Sequence, residues 1–232
     1  IKRFGDFSEE LTELAEAIVS VACDLTTAQL EIRHGSLSES DTAISVLALG
    51  KAGGKELGFA SDIELMFIYS GSGTTSGPDK ITAAEFYLRL VEKLTHTIHS
   101  RRKGIFELDL RLRPYGSAGP LAVAVETFAG YFAPSGAAWP YEQQALVKLR
   151  PIAGDPELGR RIVELRDRMV FKRATFDVNA MRAMRERQIN QLGNSAQWNA
   201  KLGPGGLVDC EYLVQAFQIT HGAAHPELRQ PN

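Results

Sequence analysis

Between Phe7 and Arg33 the apolar positions Leu11, Leu14, Ile18, Val21, Leu25 and Ile32 return at helical spacing among charged and small residues. This pattern predicts an amphipathic helix opened by Ser8 and stopped near Gly35. Ala43 to Leu49 is nearly continuously apolar and reads as a strand that breaks at Gly50, and a second strand spans Ile63 to Tyr69. The Gly- and Ser-rich stretch from Ser70 to Pro78 offers little to bury and reads as a mobile loop. Phe86, Leu90, Leu94 and Ile98 recur every four residues in a helix over Thr82 to Arg101, capped by Thr82 with Glu85 three residues on. From Ile105 to Arg113 apolar and charged residues alternate until Pro114, predicting a third strand with Glu107, Asp109, Arg111 and Arg113 on one face.

After Val125 the pattern changes. Strand signals stop, and helices are expected over about 126–133, 141–149, 156–171, 178–191 and 208–221. The reading is therefore α+β: a mixed domain over 1–125 that includes the N-terminal helix, then a helical bundle over 126–232. The closing stretch from His221 to Asn232 lacks a convincing last helix, so the chain reads as a piece of something longer.

Composition narrows the classes. The chain has 232 residues, 44% of them hydrophobic and 23% charged, which sets disorder, collagen and disulfide scaffolds aside. A net charge of −2 gives no global attraction to nucleic acid or to an anionic membrane. The longest apolar run is far below the ~20 residues of a membrane span, and no signal segment opens the chain. Only Cys23 and Cys210 are present, and they suit two buried free thiols in a reducing cytoplasm.

The candidate chemistry lies between the first two strands. Gly53-Gly54 is followed by Ser61-Asp62-Ile63-Glu64, and residues two apart in an extended chain point the same way, so Asp62 and Glu64 project together. Close carboxylates repel unless a cation sits between them, and oxygen donors suit Mg²⁺ or Mn²⁺. Asp109 from the third strand makes a third carboxylate, with Glu107 as runner-up. That set fits two-metal phosphoryl transfer. Gly53 and Gly54 would let backbone N–H groups approach a phosphate, with Lys51 and Lys55 adding charge. The stretch is not a P-loop. Ser61 either touches phosphate or only forms the turn. Arg111 and Arg113 either clamp a triphosphate or pair with Glu107 and Asp109.

These residues are also recognisable. Ala48 to Leu65, read as ALGKAGGKELGFASDIEL, resembles the nucleotidyltransferase signature of the glutamine synthetase adenylyltransferases, also called glutamate-ammonia-ligase adenylyltransferases. Asp109-Leu110-Arg111-Leu112-Arg113-Pro114, Tyr141 to Lys148, and Lys201 to Gln215 resemble further blocks of that family in the same order. The resemblance implies a DNA-polymerase-β-like domain followed by a helical bundle. It implies a metal-binding pair at Asp62 and Glu64, a third acid at Asp109, and a phosphate-facing segment at Gly53, Gly54 and Lys51. It also implies ATP as substrate and, as the activity, addition of AMP to a tyrosine of glutamine synthetase or its removal by phosphorolysis. The PII signal protein is an implied regulator, acting through parts outside this chain. Glu64 departs from the family's usual Asp, and its extra methylene shifts the carboxylate while Mg²⁺ demands near-octahedral geometry. A module reduced to nucleotide sensing, or one acting on another acceptor, therefore stays open.

The resemblance makes Asp209 and Glu211 candidates for the cleft. Asp209 is equally a favourable charge at a helix start. Lys148 and Arg150 either reach phosphate or are solvated helix charges. His96 with His99, and His221 with His225, read as surface pairs, and Trp139 and Trp198 as packing residues more readily than adenine platforms.

Overall fold

The computed structural model describes residues 5–37, 42–98, 105–172, 176–192 and 198–232. The first helix, α1, runs Asp6–His34 and ends at Gly35. Its N-cap is Gly5, in a left-handed conformation at φ 107°, and not Ser8. Thr12 donates its hydroxyl to the Ser8 carbonyl, which places Ser8 within the first turn.

The sheet is built on β1 (Ala43–Ala48) and β2 (Ile63–Ser70), which pair antiparallel from Ala43 opposite Ser70 to Ala48 opposite Leu65. The other edge of β2 is shared. β3 (Leu108–Asp109) runs parallel beside Ile63 and Glu64, and β4 (Ala122–Ala124) runs parallel beside Phe67 to Tyr69. β5 (Arg150–Gly154) adds antiparallel to the free edge of β1. Both faces of the sheet are covered, which explains why β1 and β2 read as continuous apolar runs. Val46, Ala48, Leu65 and Phe67 face a core shared with α1 and with α3 (Ala83–Thr97). Leu47, Leu49, Met66 and Ile68 face a second core built with α4 (Val125–Phe132) and α6 (Pro156–Val170).

A single helical turn, α2 (Gly50–Gly53), follows β1. The remaining helices are α5 (Pro140–Ala145), α7 (Val178–Leu192) and α8 (Leu207–His221), with a 3-10 turn at Leu146–Lys148 after α5. The α+β class with a helical second part is the observed one.

Four expectations are corrected. Strands do not stop at Val125, because β5 lies beyond it and α4 and α6 close the second face, so elements on both sides of residue 125 share one sheet and one core. The alternating segment from Ile105 pairs over only two residues, since after Asp109 the chain turns and the buried Arg113 guanidinium donates to the carbonyls of Leu110, Ser117 and Gly119. The loop after β2 is tied down: Thr75 is 1% exposed, and the Gly77 N–H donates to the His34 carbonyl at 2.8 Å. Cys23 is buried as expected, whereas Cys210 is exposed; both are free. As expected, the Thr82 hydroxyl caps α3 by accepting the Glu85 N–H.

Arg166 shows how α6 is fastened. It is 5% exposed and donates through one nitrogen to the carbonyls of Leu146, Val147 and Leu149, while its Nε donates to Asp167 at 2.7 Å. Removing it leaves those carbonyls unsatisfied in the core. Arg166→Ala is expected to lower stability by about 3 kcal/mol, read as a lower urea midpoint at unchanged slope.

Candidate active site

Antiparallel pairing brings the end of β1 beside the start of β2, and the Leu49 N–H donates to the Glu64 carbonyl at 2.9 Å. Parallel pairing then sets Asp109 directly opposite Glu64, with Asp62 two residues ahead on the same strand. β5 begins at the same end of the sheet, where Arg150 pairs with Ala48, so Lys148 arrives beside α2. Three strands and one helical turn thus deliver acids and cations to one corner.

Glu64 is half-buried, and its carboxylate accepts the Lys51 backbone N–H at 3.2 Å. Burial pushes its pKa up, and the negative charges of Asp109, Asp62 and Glu211 push the same way. Gly50 makes room for this carboxylate: its φ is +48°, and a Cβ there would overlap the Glu64 oxygens. The Lys51 ammonium donates to the Ser61 hydroxyl at 3.2 Å, and the same oxygen accepts the Gly58 N–H, so Ser61 forms the turn and holds Lys51 beside Asp62. Arg111 grips Asp109 with its guanidinium at 2.6 to 3.0 Å and with its backbone N–H at 2.8 Å, which holds the Asp109 pKa below its ordinary value. Arg111 is otherwise open to solvent, 77% exposed against 14% for Asp109.

Lys148 closes the corner from the other side. It is 8% exposed and pairs with Glu56 at 2.8 Å and Glu211 at 2.7 Å. Burial opposes its charge, yet hydrogen bonds to Glu211 and Glu56 hold its pKa above the ordinary lysine value. A cavity of about 410 Å³ lies here, lined by Lys51, Glu56, Lys148, Lys201, Glu211 and Gln215 among others. Its size suits a small-molecule ligand.

Several candidates stand elsewhere. The N–H groups of Gly53 and Gly54 donate to the carbonyls of Leu49 and Gly50, so neither is free to meet a phosphate. Gly53 is required for another reason, since a Cβ would overlap the Lys148 carbonyl. Lys55 turns away to Glu9 and Glu13 on α1. Arg113 is committed to its loop, and Arg150 donates to Ala52 and Gly53 carbonyls and to Glu16. Glu107 is exposed just before β3. Asp209 accepts from Arg185 at 2.5 Å and from the Gly205 N–H at 2.6 Å, and the Arg185 hydrogen bond lowers its pKa. Trp139 and Trp198 are exposed rather than packed. His96, His221 and His225 are exposed, and His99 lies outside the described residues.

Carboxylate oxygens of Asp62 and Glu64 fit a hard divalent cation by donor type, and the negative charge around Glu64 would be relieved by one. Among the described residues, however, no group of three or more His, Cys, Asp or Glu side chains is already gathered for a metal, and Asp109 is turned onto Arg111.

Comparison with known proteins decides the family. The sequence model of glutamate-ammonia ligase adenylyltransferase matches residues 3–165. The chain belongs to this family. Within it, the chain is 35% identical over 229 residues to a bifunctional glutamine synthetase adenylyltransferase/adenylyl-removing enzyme of Thioalkalivibrio sulfidiphilus, covering 95% of the chain and 23% of that relative. Relatives of the same name from Methylococcus capsulatus and Aromatoleum aromaticum are 35% and 36% identical, again over 95% of the chain and over 25% and 23% of their own length. The chain thus spans about a quarter of the length of the adenylyltransferases it matches. Residues 179–230 also match a GlnD PII-uridylyltransferase model.

Two site residues escaped the sequence reading. Gly50 was visible as a strand breaker, but only the β1–β2 register reveals the carboxylate it accommodates. Glu56 lies inside the recognisable block, and its partner Lys148 is 92 residues away.

The raised Glu64 pKa has a measurable consequence. A carboxyl raised on folding destabilises the folded state only once ionised, so stability is lost as pH climbs through 4.5 and beyond. Gln keeps an oxygen for the Lys51 N–H and carries no charge. In metal-free buffer Glu64→Gln is expected to melt a few degrees above wild type at pH 7, with the gap closing below pH 4.5.

Proposed function

We propose that this chain is a nucleotidyltransferase module that moves AMP between a nucleotide and a tyrosine of glutamine synthetase. The observation that carries the reading is the coincidence of family and geometry: the matched region spans the sheet corner where Glu64 and Asp109 stand opposite each other and Asp62 precedes them. In the adding direction the tyrosyl oxygen bonds to the α-phosphorus of ATP, the α–β bridge breaks, pyrophosphate leaves and the hydroxyl proton passes to solvent. In the removing direction a phosphate oxygen bonds to the α-phosphorus of adenylyl-tyrosine, and ADP and free tyrosine result. Neither direction needs a nucleophile from the protein.

Asp62, Glu64 and Asp109 would hold Mg²⁺ or Mn²⁺, which supplies neutralisation of charge on the phosphate oxygens. Lys51 and Arg111 are the cations suited to the triphosphate, Lys51 kept near Asp62 by Ser61, and Arg111 by its mobility at an exposed surface. Gly50 keeps space beside Glu64 clear. Lys148 is better read as a positioning residue, joining Glu56 beside α2 to Glu211 on α8 and so fixing one wall of the cavity. Asp209, through Arg185, fixes the start of α8.

A division of the chain after α6 is favoured over one near residue 125, because the two family models meet between residues 165 and 179. We also infer a cytoplasmic location, which ATP supply and two free thiols favour; among the described residues no helix is long and apolar enough to cross a membrane. Regulation by a PII signal protein accords with the family and would act through polypeptide outside this stretch.

Incubation with ATP labelled at the α-phosphorus, Mn²⁺ and glutamine synthetase, alongside release of label from adenylylated synthetase by phosphate, tests the proposal. Wild type is expected to perform at least one of the two, and Asp62→Asn to lose at least about 100-fold of it. Nucleotide binding with neither activity would point to a sensing module instead, and label on other proteins of a lysate to another acceptor.

A further inference from the structure

The helix α1 carries two apolar faces, and only one is used. Ala15, Val19, Ala22, Cys23 and Leu30 are buried against the sheet side. Beside them runs a second stripe of Phe7, Leu14, Ile18, Val21, Leu25 and Ile32, all exposed, with Val21 57%, Leu25 55% and Ile32 87% accessible. The spacing alternates fours and threes, 14, 18, 21 and 25, with Phe7 and Ile32 each one heptad further out. That is the seam of a two-helix coiled coil, kept up for about 37 Å of a 29-residue helix. An amphipathic helix that merely covers a sheet needs one such stripe.

The stripe also has a seat. Ile18, Val21 and Leu25 form one wall of an apolar groove of about 600 Å³ whose other wall includes Thr97, Ile98 and Phe106. Its rim is of one sign: Glu10, Asp24 and Glu31 flank the seam, and α1 as a whole carries seven acidic residues against Arg33 and His34. A second copy of α1 would bring acid against acid, and an anionic membrane would be repelled equally.

We propose that this stripe docks an amphipathic helix with an apolar seam and basic flanks, drawn from polypeptide of the kind that the curated relatives carry outside the matched quarter of their length. The acidic rim sets the sign of the partner's flanks, and the heptad spacing sets its helical form. The inference does not depend on the proposed transfer chemistry.

The test uses the whole chain and a designed 28-residue peptide with Leu at both seam positions and Lys or Arg at the flanks, read by fluorescence anisotropy at low salt. A twin peptide with Glu at the flanks and 28-residue peptides tiled across the rest of the Thioalkalivibrio sulfidiphilus relative complete the set. The basic peptide is expected to bind at least tenfold more tightly than its acidic twin and to lose at least tenfold with the Val21→Asp/Leu25→Asp chain, whose melting temperature stays within about 2 °C of wild type. At least one basic-flanked tile should compete with it. Equal binding of the twins, no competing tile, or a chain that sediments as a dimer made monomeric by the substitutions would overturn the proposal. So would a large fall in melting temperature, which would mean that the stripe already packs within the chain.

Discussion

Repulsion among carboxylates at one corner of a sheet is the constraint around which this structure is arranged. Hydrogen bonding between β2 and β3 sets Glu64 opposite Asp109, and strand geometry sets Asp62 beside them. None of these acids can retreat from the others without breaking a register that also holds the core. The surroundings answer with positive groups at fixed points: a backbone N–H on Glu64, Arg111 on Asp109 and Lys51 near Asp62. A corner so balanced receives a cation or a triphosphate by exchanging these contacts for stronger ones.

The rest of the molecule gives that corner its rigidity. β1 and β2 are buried on both faces, so the strand ends inherit the order of two cores. Gly50 turns the chain where any side chain would strike Glu64, and Gly53 lets α2 rest on the Lys148 carbonyl. Lys148 then ties α2's neighbour Glu56 to Glu211 of α8, so that the helical part approaches the corner through one buried ammonium. Arg166 and Arg185 do comparable work further out, each joining a helix to backbone carbonyls that have no other donor nearby in sequence. Arginine suits that task because its fork of donors reaches several carbonyls at once.

How much of this the sequence displayed depended on whether the signal was local. α1, α3, β1 and β2 announced themselves through apolar spacing, and Asp62, Glu64 and Asp109 through alternation on strands. β5 did not, because Arg150-Pro151-Ile152-Ala153-Gly154 has no alternation, and an edge strand tolerates Pro151 since it pairs on one side only. The alternation from Ile105 to Arg113 overstated the strand, because Arg113 finds its partners in a loop that folds back on it. The glycine pair was noticed for the right segment and the wrong reason: its N–H groups are spent within α2, and the glycine that serves the carboxylates comes three residues earlier. Contacts such as Lys148 with Glu56 join residues too far apart for any pattern to reveal.

The central claim is that Asp62 and Glu64 together form the seat of a divalent cation, while Asp209 serves the scaffold. Titration of the chain with Mn²⁺, followed by water-proton relaxation, addresses this directly. A single saturable site weakened at least tenfold by Asp62→Asn and by Glu64→Gln, and preserved in Asp209→Asn, is the predicted result. Equal Mn²⁺ binding by all four proteins would contradict the account.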